Sequence, residues 1–359
     1  MSKSNRKNKN KKRGKVYLLI ILVLIVLIGL EVFFIKGNLK VFVDKAKNIT
    51  KEILPNKEEK KLKIVDVNSN SRPIAVMINN HNTARNYHMG LQDAYLVYEI
   101  IVEGGSTRYM AVYKDKDASK IGSVRSSRHY FLDYALENDA IYVHWGYSDQ
   151  AKQDIERLGI DNINGLYYEN SYFYRDNSLN VSLEHTGYTN MELIKKGISK
   201  FGYRNTSNKK LLLDYSIEPI EINQFDGAIT AKDIDLKYSG VVTTSYKYDE
   251  ASGNYLRYVN GKEHKDYATK EQYTAKNIIA YQVSNHTLNG DVKGRQDIDN
   301  VGSGKGYFIS NGYAVPISWN KSSRSAQTIY TLKDGTELKV NDGNTFIQIV
   351  PMSGNISIS

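Results

Sequence analysis

An α+β fold is predicted for this chain: an N-terminal transmembrane helix, a mixed α/β N-terminal domain and a mainly antiparallel β C-terminal domain. Three observations predict it. A twenty-residue apolar run, Val16 to Ile35, follows a basic N-terminus. Apolar strand-like and helix-like runs alternate between Arg72 and about Asn205. Beyond that, Asn-Gly and Asp-Gly turn signals recur between short apolar runs, the pattern of successive hairpins.

The N-terminus limits what the rest can do. Residues 1–15 hold Lys3, Arg6, Lys7, Lys9, Lys11, Lys12, Arg13 and Lys15 and no acid. Those eight positives leave about +2 of the formal net charge of +10 for the remaining chain (10 − 8). A basic face for nucleic acid is therefore not expected. At about 1.5 Å per residue, residues 16–35 span about 30 Å, the thickness of a bilayer core. Glu31 lies near the outer end, within reach of the headgroups. The basic run on one side places the N-terminus in the cytoplasm and the bulk of the chain outside. A cleaved signal peptide is the rival reading. The apolar run is long for one, however, and no small-x-small site follows before Lys36. With no cysteine in the chain, disulfides, Cys-ligated metals and a lipidated Cys are excluded.

Residues 36–71 read as a juxtamembrane stalk and linker, with apolar positions near helical spacing up to Pro55 and a polar Asn68–Ser71 segment. The mixed domain spans 72–205. Pro73–Asn79 is an apolar strand, and Ala94–Glu103 and Thr107–Tyr113 form a hairpin around Gly104-Gly105. Arg128–Leu136 has helical spacing, with Ser126 or Ser127 placed to cap it. Ala140–Trp145 is a buried-type strand, and Asp149–Leu158 a second helix. In the β domain, 206–359, the strands include Tyr307–Ser310, Ala314–Trp319 and Thr345–Val350, with Pro316 marking an edge or bulge. Gly302-Ser-Gly-Lys-Gly306 echoes a phosphate loop but lacks its Ser/Thr, and is expected to be a glycine-rich turn.

The densest chemistry lies between Tyr98 and Arg128. With a two-residue loop at Gly104-Gly105, Glu103 pairs with Ser106 and Ile101 with Arg108. Glu99, Glu103 and Arg108 then share one face. Ser123-Val-Arg-Ser-Ser-Arg128 leads into a helix start, where Arg108, Arg125, Ser126, Ser127 and Arg128 are candidates for binding an anion. The competing structural readings are a cross-strand salt bridge on a solvent face and arginines paired with Asp133, Glu137 or Asp139. His144 ends an apolar strand and His185 sits in a polar loop. His185 is counted with the ligand-binding candidates. Glu99, Glu103 and His144 are the acid–base candidates if the protein is an enzyme. His81 and His88 match no zinc spacing, and neither a metal nor a cofactor is expected. The 28 tyrosines, against nine phenylalanines, suit stacking on sugars or peptides.

Arg72–Asn80, Gly90–Glu99, Val102–Arg108, Gly122–Arg128, Ile141–Gly146, Asn260–Asp266, Asp299–Lys305, Ile317–Lys321 and Gly343–Pro351 together resemble the YerB-type lipoproteins, a two-domain bacterial family of unknown function. The resemblance covers roughly residues 72–351. It implies a membrane-attached, extracytoplasmic protein of a Gram-positive type bacterium, with no assigned activity. Two departures stand out: the lipid-modified cysteine is missing, so the span 16–35 would replace that anchor, and Glu184-His185-Thr186 stands where the family shows a Pro-His-Asn-like triplet. The expected role is binding of an anionic or glycan cell-wall component or of an envelope protein. The alternative is an envelope enzyme of phosphoryl or glycosyl transfer or hydrolysis using Glu99, Glu103, Arg108, Arg125 and Arg128.

Overall fold

The computed structural model describes residues 21–27 and 61–359. Residues 21–27 are helical, and the rest of the expected span 16–35, the tail 1–15 and most of the stalk lie outside the described residues. Among the described residues no helix is long and apolar enough to cross a membrane. The expected linker ends earlier than the composition suggested. Ile64 and Val65 are buried, and the Lys63 and Ile64 amides donate to Asp342 Oδ1 at 3.1 and 3.0 Å. Two buried apolar side chains and the bonds to Asp342 together dock this polar segment on the core.

The first strands follow the alternating apolar runs: β1 (Ile74–Asn79), β2 (Leu96–Ile101) and β3 (Thr107–Tyr113), every residue of each buried. Helix α1 (His129–Glu137) leads to β4 (Ile141–His144), then α2 (Asp149–Arg157), β5 (Asn162–Asn164) and α3 (Met191–Phe201). The later half supplies β6 (Asp233–Lys237), β7 (Thr243–Asp249), β8 (Asn254–Val259), β9 (Asn277–Val283), β10 (Gly302–Ser310), β11 (Tyr313–Lys321), β12 (Thr345–Pro351) and β13 (Asn355–Ile358).

The two sequence regions are knitted into one eleven-stranded sheet within the unit Lys61–Ser359. Its central order is β11-β10-β9-β12-β2-β3-β1-β4-β5. The late strand β12 enters between β9 and β2, parallel to both. β1, β4 and β5 are mutually parallel, so their C-terminal ends share one edge of the sheet. A six-stranded sheet containing β8-β7-β6-β13 covers one face. Thr244 and Arg257 project from it onto β2 and β3, and Tyr246 onto Phe346 of β12. Helix α1 covers the other face, where the Tyr98 ring packs tilted against Tyr134, centroids 4.8 Å apart, and its hydroxyl donates to Glu137 Oε1 at 2.6 Å.

Two expectations are corrected by packing. Gly302–Gly306 is the start of β10 rather than a turn. A Cβ at Gly304 would lie 2.7 Å from Trp319 Nε1, and one at Gly306 2.6 Å from the Ala280 carbonyl oxygen. The glycines therefore let neighbouring groups approach a strand. The second correction is the register of the β2–β3 hairpin. Three residues, Glu103–Gly105, form its turn, with Gly104 and Gly105 at φ 66° and 71°. Ile101 therefore opposes Thr107, and Ile100 opposes Arg108. Side chains alternate faces along a strand, so this one-residue slip sends Glu99 and Arg108 to opposite faces of the sheet. Pro316 does mark an interrupted edge: β11 pairs with the short strand Ile229–Thr230 at Tyr313 and Ala314, and with Ile329–Thr331 at Ser318–Asn320, leaving Pro316 between them.

Candidate functional site

Glu99 belongs to the core between the two sheets. It is fully buried and pairs with the equally buried Arg257 at 2.6 Å. Thr107 Oγ1 donates to it at 2.7 Å, Thr244 Oγ1 at 3.1 Å and Asn80 Nδ2 at 3.3 Å. Arg257 also donates to His264 Nδ1. Because a guanidinium can only donate, the His264 proton sits on Nε2 and is donated to His88 Nδ1 at 2.8 Å. His88 then donates from Nε2 to the Asn79 carbonyl. Burial, reinforced by the charges of Arg85 and Arg257, brings the His88 pKa down to about 3 against the pull of its Asn79 bond. His264 is also pushed down, by burial and then Arg257. This network ties Glu99 into the core and leaves it closed to a substrate.

Glu103 occupies the hairpin turn, at the other side of the sheet. Arg128 Nε donates to it at 2.9 Å and Arg108 lies 3.6 Å away. Burial would raise the Glu103 pKa, but the Arg128 hydrogen bonds and the two guanidinium charges outweigh it and bring it to about 2. Arg108 is lowered to about 9, first by burial and then by Arg128. One carboxylate thus serves two buried arginines, and Glu103 is held ionised instead of poised as an acid. Arg108 also donates to the Ser126 carbonyl, which links this cluster to the segment before α1.

That segment lines an open cleft of about 330 Å³ at the C-terminal ends of β4 and β5. Arg125, Ser126, Trp145, Tyr147, Leu166, Arg175 and Glu184 are among its walls. Trp145 is fixed by close backbone approach: a Cβ on Gly165 or Gly187 would lie 2.5 or 2.7 Å from its ring. The Arg175 guanidinium lies 4.2 Å from the Trp145 ring centroid, a cation–π arrangement. Arg175 Nε donates to Glu169 at 2.9 Å, and Nη1 donates to the Leu183 carbonyl. Arg125 pairs with the Glu184 carboxylate and donates to the Glu184 carbonyl at 3.3 Å. Around the opening Leu166, Tyr167 and Leu183 are more than half exposed.

The predicted residues therefore divide. Arg125 and Ser126 line the cleft, and Arg108, Arg128 and Glu103 lie behind it. His185 is buried next to the cleft, accepting from Asn79 Nδ2 at 2.9 Å and stacked on His81 at 5.1 Å. Burial first, then Arg125 and His81 against the pull of Glu184, lowers its pKa. Four placements are corrected. Glu99 is on the wrong face for the cluster. Ser127 is buried, accepts from Tyr142 Oη at 2.9 Å and cannot meet a ligand. Neither Ser126 nor Ser127 caps α1, whose N-cap is Arg128, without a side-chain cap. Buried His144 has Nδ1 2.8 Å from the Gly146 carbonyl and Nε2 3.1 Å from Asn162 Oδ1, so both nitrogens face internal groups.

Sequence reasoning missed Arg257, Arg175, Trp145 and Glu184 as members of these sites. Arg257 carried a readable signal: it falls at an inward position of the alternating strand β8, where a charge needs a buried partner. Among the described residues no group of three or more His, Asp or Glu is arranged to hold a metal ion. The geometry offers cationic and aromatic recognition, and no free acid–base pair among Glu99, Glu103 and His144.

Two regions of the chain match known family models. Residues 62–204 match the family described as "Protein of unknown function (DUF3048) N-terminal domain". Residues 234–347 match the corresponding C-terminal domain. The chain is 31% identical over 319 residues to "Putative lipoprotein YerB" of Bacillus subtilis (strain 168), covering 88% of this chain and 90% of that protein. The crystal structure of the Bacillus subtilis YerB protein superimposes with a TM-score of 0.71 at 29% identity, over 83% of this chain and 99% of that one.

Proposed function

The chain belongs to this DUF3048, YerB-like family, and from that premise we propose that it is a membrane-attached envelope protein that binds an anionic glycan or related cell-wall polymer in the Arg125–Trp145–Arg175 cleft. The observation that carries the reading is the convergence of two guanidiniums on one tryptophan-lined opening. Arginine forks suit phosphate or carboxylate oxygens, and the exposed ring of Tyr167 beside the opening suits the flat face of a sugar. Behind them Arg108 and Arg128 share the single carboxylate of Glu103. Four arginines thus face three carboxylates, Glu103, Glu169 and Glu184, which favours an incoming anion.

Attachment to the membrane is supported by the basic residues 1–15 followed by the apolar run 16–35, and by the description of the Bacillus relative as a lipoprotein. Recognition is favoured over catalysis because Glu99, Glu103 and His144 are each committed to internal partners.

The test is calorimetric titration of the full chain in detergent with an oligomer of glycerol phosphate and with a neutral N-acetylglucosamine oligomer. Preferential binding of the anionic oligomer, weakening as salt rises, is expected. Equal binding of both oligomers, insensitive to salt, would refute the anionic reading.

A further inference from the structure

The two arginines of the cleft are not open to solvent on all sides: both reach over to the same three-residue turn, Leu183–His185. Arg175 donates to the Leu183 carbonyl, and Arg125 to the carbonyl and carboxylate of Glu184. The side chains of Leu183 and Glu184 are exposed, whereas His185 is anchored behind them by Asn79 and His81. The turn therefore has a fixed foot and a projecting edge, and that edge sets oxygen atoms on the guanidiniums. Glu184 is 53% exposed and Arg125 26%, so water competes for their pair and it contributes little to stability. The Arg125 bond still lowers the Glu184 pKa, which keeps it a carboxylate at neutral pH.

We infer that Glu184 is a built-in competitor for the ligand's anionic group. Binding replaces the Glu184 carboxylate on Arg125 while His185 stays in place, and the ligand is a repeating polyanion of the phosphodiester type. The inference rests on the reading of the cleft as an anion-binding site. Its ligand class follows from the competition itself. Glu184 is tethered beside Arg125, at an effective concentration on the order of millimolar. A single carboxylate or phosphate would exchange like for like and gain little. A chain with several anions gains by reaching Arg125 and Arg175 together.

The experiment compares the wild-type full chain with Glu184→Gln and with Glu184→Gln/Arg125→Ala. Each is titrated at low salt with the glycerol phosphate oligomer and with glycerol 3-phosphate. Removing the competing charge is expected to tighten oligomer binding about two- to fivefold, the worth of an exposed ion pair. Glycerol 3-phosphate should bind the wild type far more weakly than the oligomer. Adding Arg125→Ala should abolish the gain. Oligomer binding that is unchanged or weaker in Glu184→Gln, with the wild type binding normally, overturns the competitor role. Equal affinity of the wild type for the oligomer and for glycerol 3-phosphate overturns the polyanion class. If neither wild type nor Glu184→Gln binds the oligomer, the anion-binding reading of the cleft falls and the inference with it.

Discussion

Glu99–Arg257 and Glu184–Arg125 are the same pair of residue types in two different settings. The first is completely buried between two sheets and is satisfied by Thr107, Thr244, Asn80 and His264. The second lies on a cleft wall, with both side chains partly exposed and few other partners. A buried pair must be fully satisfied, and it then specifies which surfaces meet. An exposed pair is cheap to break, so its arginine stays available to a ligand. The carboxylates and arginines that looked like one site in the sequence are two separate systems, one closed in the core and one open on a cleft wall.

Breaking the core pair should have the largest effect. Arg257→Met leaves Glu99 buried without its cation, and a loss of about 3–5 kcal/mol is expected in urea unfolding. The double variant Glu99→Gln/Arg257→Met should recover part of it, because no charge is left unpaired. A loss below about 1 kcal/mol for Arg257→Met would erase the contrast with the cleft.

Acid should act on the same network. Folding keeps His88 neutral, so its contribution is fully present above the unfolded pKa near 6.5 and is lost as pH falls toward its folded value of about 3. At about 1.4 kcal/mol per unit, roughly 3 kcal/mol should be lost between pH 6.5 and pH 4, with His264 adding to it. Urea midpoints measured across that range check this, and in His88→Phe the slope should flatten.

Glu103 stands between the two systems, partly buried but next to the cleft. Glu103→Gln should cost about 1–2 kcal/mol at neutral pH by leaving Arg108 and Arg128 facing each other. Because its folded pKa is depressed to about 2, that contribution is present above the unfolded value near 4.5 and lost as pH falls through 2. The wild-type advantage over Glu103→Gln should therefore shrink over that window. The smallest stability effect belongs to Arg125→Ala: less than about 1 kcal/mol.

Much of the fold could be read from local pattern. Thr107–Tyr113 follows the expected bounds, and Ile74–Asn79, Ile141–His144 and Asp149–Arg157 fall inside the expected runs. The Asn260-Gly261 and Asn311-Gly312 turns adopt the positive φ values their residues invite. What local pattern does not contain is the meeting of distant segments. Nothing near Thr345–Pro351 says that it enters the sheet beside Leu96–Ile101, or that Arg257 will face Glu99. The candidate site failed on one residue of turn length, which moved Glu99 to the other face. Arg125 and Ser126 were legible because a basic, polar segment precedes a helix. Arg175 was not, since only the fold brings it over Trp145.

The central claim is that the cleft arginines serve a ligand and the core arginine serves the fold. Its most direct test is titration of the glycerol phosphate oligomer into the full-chain variant Arg125→Ala/Arg175→Ala, with thermal unfolding followed in parallel. A fall in affinity of about tenfold or more, with the melting temperature lowered by only a few degrees, is the predicted result. Unchanged affinity, or unfolding as severe as in Arg257→Met, would contradict it.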